Sequence, residues 1–191
     1  MWWNPRSSQN ERAAARLPDG LRIYAIGDIH GRADLLESLL LQIDEDCRLY
    51  PSRRPIVVFI GDYIDRGPAS REVLDLLLGY ERTKETIFLR GNHETFVHRF
   101  LSKPAVLDEW RLYGGLETLV SYGLKPSINP NGLERARLAK ELAMSITKRH
   151  IEFLESLNLS FSCGDFLFCP CRYSTRRSAS EAEGRGSTLD S

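Results

Sequence analysis

From Leu21 onward the chain alternates short apolar runs with longer stretches whose apolar residues recur every three or four positions. Residues 21–26 end in Gly27-Asp28, residues 56–60 end in Gly61-Asp62, and residues 86–89 lead through Arg90 to Gly91-Asn92. Short β-branched runs closed by glycine are buried-strand signals. Between the first two runs lie residues 33–46, with Leu35, Leu36, Leu39, Leu40 and Ile43 at helical spacing. Between the next two lie residues 70–80, with Val73, Leu74, Leu76 and Leu77. Strands alternating with helices predict an α/β fold, because parallel strands need a crossover long enough to hold a helix. After Asn92 the periodicity is helical over 94–101, 110–122 and 133–157, punctuated by Gly123, Pro126 and Asn129-Pro130-Asn131-Gly132. Residues 159–168 read as a hairpin turning at Cys163-Gly164-Asp165.

The two ends break this pattern. Residues 1–20 mix Arg, Ser, Asn, Pro and Gly without periodicity and are expected to be a flexible segment. Residues 169–191 mix arginines with five serines and contain no Val, Ile, Phe, Met or Trp, so a disordered tail is expected after one domain spanning 21–168. A length of 191 residues suits a single domain, and 42% hydrophobic with 27% charged residues is ordinary globular composition. The 26 basic and 26 acidic residues cancel, which points away from a nucleic-acid partner. The sequence contains no apolar stretch of membrane-spanning length and no signal-type start, so a cytoplasmic location without membrane contact is expected. Cys47, Cys163, Cys169 and Cys171 lack zinc-ribbon spacing and are expected to stay reduced.

Chemistry concentrates at the ends of the three runs: Gly27-Asp28-Ile29-His30-Gly31, Gly61-Asp62-Tyr63-Ile64-Asp65-Arg66-Gly67, and Gly91-Asn92-His93-Glu94. In an open α/β sheet, ligands bind at the carboxyl ends of the strands. Asp and His two residues apart can converge on a cation, and further Asp and Asn oxygens suit Mn, Fe, Zn or Co better than a thiolate zinc site. Arg66 offers a planar fork for phosphate oxygens. Taken singly, a Gly-Asp is an ordinary turn and a histidine an ordinary core or surface residue. Three such motifs in order are not explained as turns, whereas His98 and His150, on helical stretches, keep the ordinary reading. Trp110, Tyr113, Gly114, Gly115 and Tyr122 form either a cap over the site or part of the core.

The motifs GDIHG, GDYIDRG and GNHE resemble those of calcineurin-like metallophosphoesterases, in the phosphoprotein phosphatase group that includes bacterial protein phosphatases and diadenosine tetraphosphate hydrolases. The resemblance covers roughly residues 21–168 and implies a two-sheet sandwich flanked by helices. It also implies two divalent metal ions, with Asp28 and His30 on the first, Asp62 bridging both and Asn92 on the second. His93 would be the general acid, positioned by Asp65, and Arg66 would bind the substrate phosphate. The implied activity is metal-dependent hydrolysis of a phosphorylated protein or small phosphoester, with manganese among the candidate ions. A dinucleoside polyphosphate hydrolase is the alternative within enzymes. An inactive remnant holding one metal is the alternative outside them.

The resemblance lapses at the tail. The family carries His-Ala-Gly on the strand following Phe166 and a later Gly-His, and both histidines serve the second metal. Here Phe168 is followed by Cys169-Pro170-Cys171-Arg172, and no histidine follows His150. The second sheet is therefore expected to be incomplete and the second ion weakly held. With permitted codons, regrouping residues 169–177 by one base can spell Val-His-Ala-Gly-Ile-Arg-Pro-Gly, which reads as a shifted frame. The rival is a divergent tail in which Cys169 and Cys171 replace the lost ligands. Deleting one base near the Phe168 codon should raise Mn-supported hydrolysis of p-nitrophenyl phosphate many-fold, given the downstream sequence. Equal activity with and without the deletion would overturn the shifted-frame reading.

Overall fold

The structure is a computed structural model that describes residues 14–170 and 187–188. Its centre is a parallel sheet of β1 (Leu21–Ile26), β2 (Arg54–Phe59) and β3 (Glu85–Phe88), in the order β1-β2-β3. The helices α1 (Ala33–Leu49) and α2 (Ser70–Tyr80) make the two crossovers. β2 lies between two layers, and its alternation assigns side chains to each. Val57 and Phe59 join the core formed with the helices, whereas Ile56 and Val58 join a smaller cluster with Leu89, Phe161 and Cys163. β2 and β3 begin earlier than their apolar runs, at Arg54 and Glu85, which share a two-bond ion pair of 2.7 and 2.8 Å at the sheet's polar end.

The second layer is small. β4 (Phe161–Cys163) pairs antiparallel with β5 (Phe166–Phe168) across a turn at Gly164-Asp165, and β4 pairs parallel with β6 (Ser187–Thr188). Phe161 and Cys163 point inward and Ser162 outward, the alternation of a strand with one wet face. Of the aperiodic start, residues 1–13 lie outside the described residues, but Leu17 packs on this layer and the Arg16 amide donates to Asp165 at 3.0 Å. Most of the tail expected to be disordered, residues 171–186 and 189–191, also lies outside the described residues, and Cys171 with it.

The helical layer is more broken than its periodicity predicts. α3 (Glu94–Ser102) leads through a short 3-10 turn into α4 (Leu107–Trp110), and neither of these last two elements is visible as an apolar pattern. The single helix expected over 110–122 is interrupted where Gly114 adopts φ 92°, a conformation that favours glycine, before α5 (Gly115–Ser121). The helix expected over 133–157 is two helices. α6 (Gly132–Ser145) is capped by Asn131, and α7 (Lys148–Ser156) restarts after extended backbone at Ile146 and Thr147, whose hydroxyl caps the His150 amide. The asymmetry of the two layers predicts where mutation is felt. Leu77→Ala, fully buried in the helical core, should cost about 2–5 kcal/mol in urea unfolding. Leu167→Ala, on the exposed face of β5, should stay within about 0.5 kcal/mol.

Candidate active site

All three strand ends turn at the same edge of the sheet; main-chain hydrogen bonds stitch the first turn to the second, and the Asp62 carboxylate, accepting from the His93 amide at 3.2 Å, ties the second to the third. The Asp62 carbonyl accepts from Ile29 and His30 amides at 3.0 and 2.9 Å, and the His30 carbonyl accepts from Gly67 at 3.0 Å. Among the described residues, the non-glycine residues with positive φ are His30 (45°), Asp62 (53°), Asp65 (73°) and Arg66 (65°), all in these turns. Each such conformation costs on the order of 1–3 kcal/mol and persists where surrounding bonds over-determine it. Glycine is needed where the turns touch: a Cβ on Gly91 would collide with the Asp62 carboxylate, and one on Gly67 with the His30 carbonyl.

The turns open onto a cleft of about 650 Å³ lined by Asp28, Asp62, Arg66, Asn92, His93 and Tyr113, with Cys169 at one wall. Two expected site residues lie behind this surface. Asp65 is fully buried, and its Oδ2 accepts from His93 Nδ1 at 2.7 Å. His30 is tucked in with its Nδ1 3.0 Å from the Ile64 carbonyl, which can only accept, so Nδ1 carries a proton and Nε2 is the nitrogen with a lone pair to offer in the neutral ring. That Nε2 is buried without a hydrogen-bond partner, 3.6 Å from Asp28 Oδ2. Ligand atoms of His30, Asp62 and His93 all lie within 4.8 Å of one another. An orphaned imidazole lone pair facing carboxylates is costly as it stands and fits a cation, with Asp28 and Asn92 as further oxygen donors at the same edge.

Burial pulls the His93 imidazole down, but its hydrogen bond to Asp65 and the charges of Asp65 and Asp62 outweigh this and hold it above the ordinary histidine value. The protonated form of His93 is thus favoured. The other two histidines behave as ordinary residues. His98 is exposed, and buried His150 is bonded through both nitrogens, to Tyr122 at 2.7 Å and Asp75 at 3.0 Å. Of the residues left open between cap and core, Trp110 is fully buried yet bonded to Asp65, and Tyr113 lines the cleft.

A model of the calcineurin-like phosphoesterase family matches residues 21–159. The asymmetrical bis(5'-nucleosyl)-tetraphosphatase PrpE of Oceanobacillus iheyensis is 32% identical over 139 residues, covering 71% of this chain and 49% of that protein. Serine/threonine-protein phosphatase 2 of Escherichia coli is 40% identical over 72 residues, 38% of this chain and 29% of that protein. Serine/threonine-protein phosphatase T of Aspergillus oryzae is 42% identical over 79 residues, 40% of this chain and 15% of that protein. The chain spans about half or less of the length of these curated relatives.

Glu94 is the site residue that the motifs contain but whose task they do not disclose. Its buried carboxylate accepts from the Tyr63 amide at 2.8 Å and the Asp62 amide at 3.1 Å, clamping the second turn from the start of α3. Burial pushes its carboxyl up to about 7, against the lowering effect of those amides and with help from the Asp62 charge. Between the ordinary 4.5 and about 7 the folded state therefore binds more protons than the unfolded, and the contribution of Glu94 to stability falls as pH rises. Glu94→Gln turns an NH₂ toward one of the two amides and should cost about 1–3 kcal/mol at the acid end of that window. In metal-free protein, the stability difference between wild type and variant should shrink as pH rises across it. A flat or opposite trend in paired urea titrations would contradict the assignment.

Proposed function

The chain belongs to the calcineurin-like phosphoesterase family, and from that premise we propose that it hydrolyses phosphate monoesters on protein serine or threonine, with His93 as the proton donor to the departing oxygen. The observation that carries the reading is the pair of His93 with buried Asp65 in a cleft that also presents Arg66 and the His30–Asp62 donor group. Asp28, His30 and Asp62 would hold one divalent ion. Asp62 and Asn92 would hold a second one weakly, since two protein ligands make a poor transition-metal site. Bound there, such ions lower the pKa of water and neutralise phosphoryl charge. Manganese as the working ion and a cytoplasmic setting belong to this proposal.

The chain's own groups divide the remaining work. Arg66, with its backbone fixed by the Gly114 carbonyl at 3.1 Å, can fork onto two phosphate oxygens. His93 Nδ1 is committed to Asp65, which leaves Nε2 for the leaving oxygen, and the same carboxylate favours the protonated ring that a proton donor needs. Cys47 and the serines have no part in this scheme, because water serves as the nucleophile.

A second reading is favoured by the PrpE similarity, which covers more of the chain than the two phosphatase similarities. A dinucleoside tetraphosphate presents its phosphate to the same groups, and comparing turnover of a phosphopeptide with that of diadenosine tetraphosphate separates the two. The general-acid role is tested in the Mn-supplemented chain by His93→Asn. Turnover of an alkyl phosphate should fall by roughly 10²–10⁴. Metal content after dialysis should stay at about one ion per chain in both proteins, as three ligands at one site and two at the other imply. An unchanged alkyl phosphate rate would overturn the general-acid role, and two tightly held ions would overturn the weak second site.

A further inference from the structure

Asp65 accepts more hydrogen bonds than its partnership with His93 requires. Oδ2 also accepts from Trp110 Nε1 at 2.8 Å, and Oδ1 accepts from Thr118 Oγ1 at 2.6 Å. Both donors come from the helical segment after α3, 45 and 53 residues away in sequence. The hydroxyl arithmetic around Thr118 has one solution. Its single hydrogen is spent on Asp65 Oδ1, so Ser70 Oγ, 3.1 Å away, must donate to Thr118. The Asp65 amide then donates to the Thr118 and Ser70 oxygens at 3.0 and 3.1 Å. No rotation of the hydroxyls satisfies these bonds in another way.

The indole is equally constrained. Trp110 is fully buried, stacked on Phe96 at an interplanar angle of 5°, and packed on Phe100 with ring centres 5.5 Å apart. Its remaining side is closed by the backbone of Gly115, where a Cβ would collide with the ring. Gly114 meanwhile brings its carbonyl to the Arg66 amide. One short segment thus fixes both Asp65 and Arg66, two of the residues with positive φ.

We propose that Trp110 and Thr118 are positioning residues that act through Asp65. As the other donors on its carboxylate, they set the plane from which it holds His93 Nδ1, and so the direction in which Nε2 meets the leaving oxygen. The inference rests on the proton-donor reading of His93. A buried indole serving only as core would still seek a partner for its N–H, but it would have no effect specific to leaving-group protonation. The two roles therefore differ in what they do to substrates whose leaving groups do or do not need a proton.

The test uses the full chain with Mn and two substrates, p-nitrophenyl phosphate and an alkyl phosphate. Trp110→Phe keeps an aromatic ring in the core but removes the N–H together with the five-membered ring, so the Thr118 pair, which leaves that packing untouched, is its control. Thr118→Val removes the hydroxyl, and Thr118→Ser returns it. The first two variants should lose about tenfold in kcat on the alkyl ester, with KM within about twofold, and much less on p-nitrophenyl phosphate. Thr118→Ser should recover to within about twofold of wild type. Equal losses on both esters, a change confined to KM, or no loss would overturn the inference, and so would failure of the serine variant to recover.

His93→Asn run in parallel separates this inference from the reading beneath it. If that variant affects both esters alike, the proton-donor reading falls. The positioning claim is then decided by the low-field NMR signal of the His93 Nδ1 proton. Movement or loss of that signal in Trp110→Phe and Thr118→Val sustains the claim, and an unmoved signal overturns it.

Discussion

A carboxylate sealed from water must be surrounded by donors, and two such groups, Asp65 and Glu94, organise the carboxyl end of the sheet. Asp65 gathers a histidine, an indole and a hydroxyl; Glu94 gathers two consecutive backbone amides. Their donors lie on the third turn, the second turn and the α4–α5 segment. Satisfying the two carboxylates therefore fixes those three pieces relative to one another. The positive-φ residues are intelligible on the same basis, since backbone held from several directions can keep conformations that a free loop would relax.

The two layers have unequal tasks. The helical layer contributes the large core, including Trp110, Phe96 and Phe100, and from that core it reaches back to the chemistry through Asp65. The β4–β5–β6 layer covers the other face with a small cluster and adds Leu159, Cys169 and Pro170 to the cleft wall. The parallel bridge between Leu89 and Asn158 sets the chain returning from α7 beside the end of β3 before it enters β4. The cleft thus lies between a deeply anchored side, with His93 and Arg66, and a thinly anchored one. Asp28, with a largely exposed carboxylate, stands at the mouth, while the orphaned His30 nitrogen lies behind it.

Much of this was legible in the residues because the signals are local. An apolar run closed by glycine is a local strand-end signal, and three of them in alternation with helices bring Asp28, Asp62 and Asn92 to one edge by topology. The limits of helices were less legible. The break at Gly114 was written in the sequence, but a glycine pair inside an apolar period reads equally well as a tolerated interruption. The restart at Thr147 depends on a cap that only the extended backbone of Ile146 makes available.

By itself, then, the sequence determined the alternation of strands and helices, the edge where the chemistry lies, and the residue types able to hold metal and phosphate, because each follows from short-range period and spacing. Only the tertiary structure decided that Asp65 is wholly buried while Asp28 is largely exposed, that Glu94 clamps the second turn, and that Trp110 and Thr118 complete the environment of Asp65. The physical reason is that the hydrogen bonds satisfying a buried charge join groups 28 to 53 residues apart. Glu94, Trp110 and Thr118 all sit on short helices, and nothing in their local sequence distinguishes a core tryptophan from one whose N–H is held on a carboxylate.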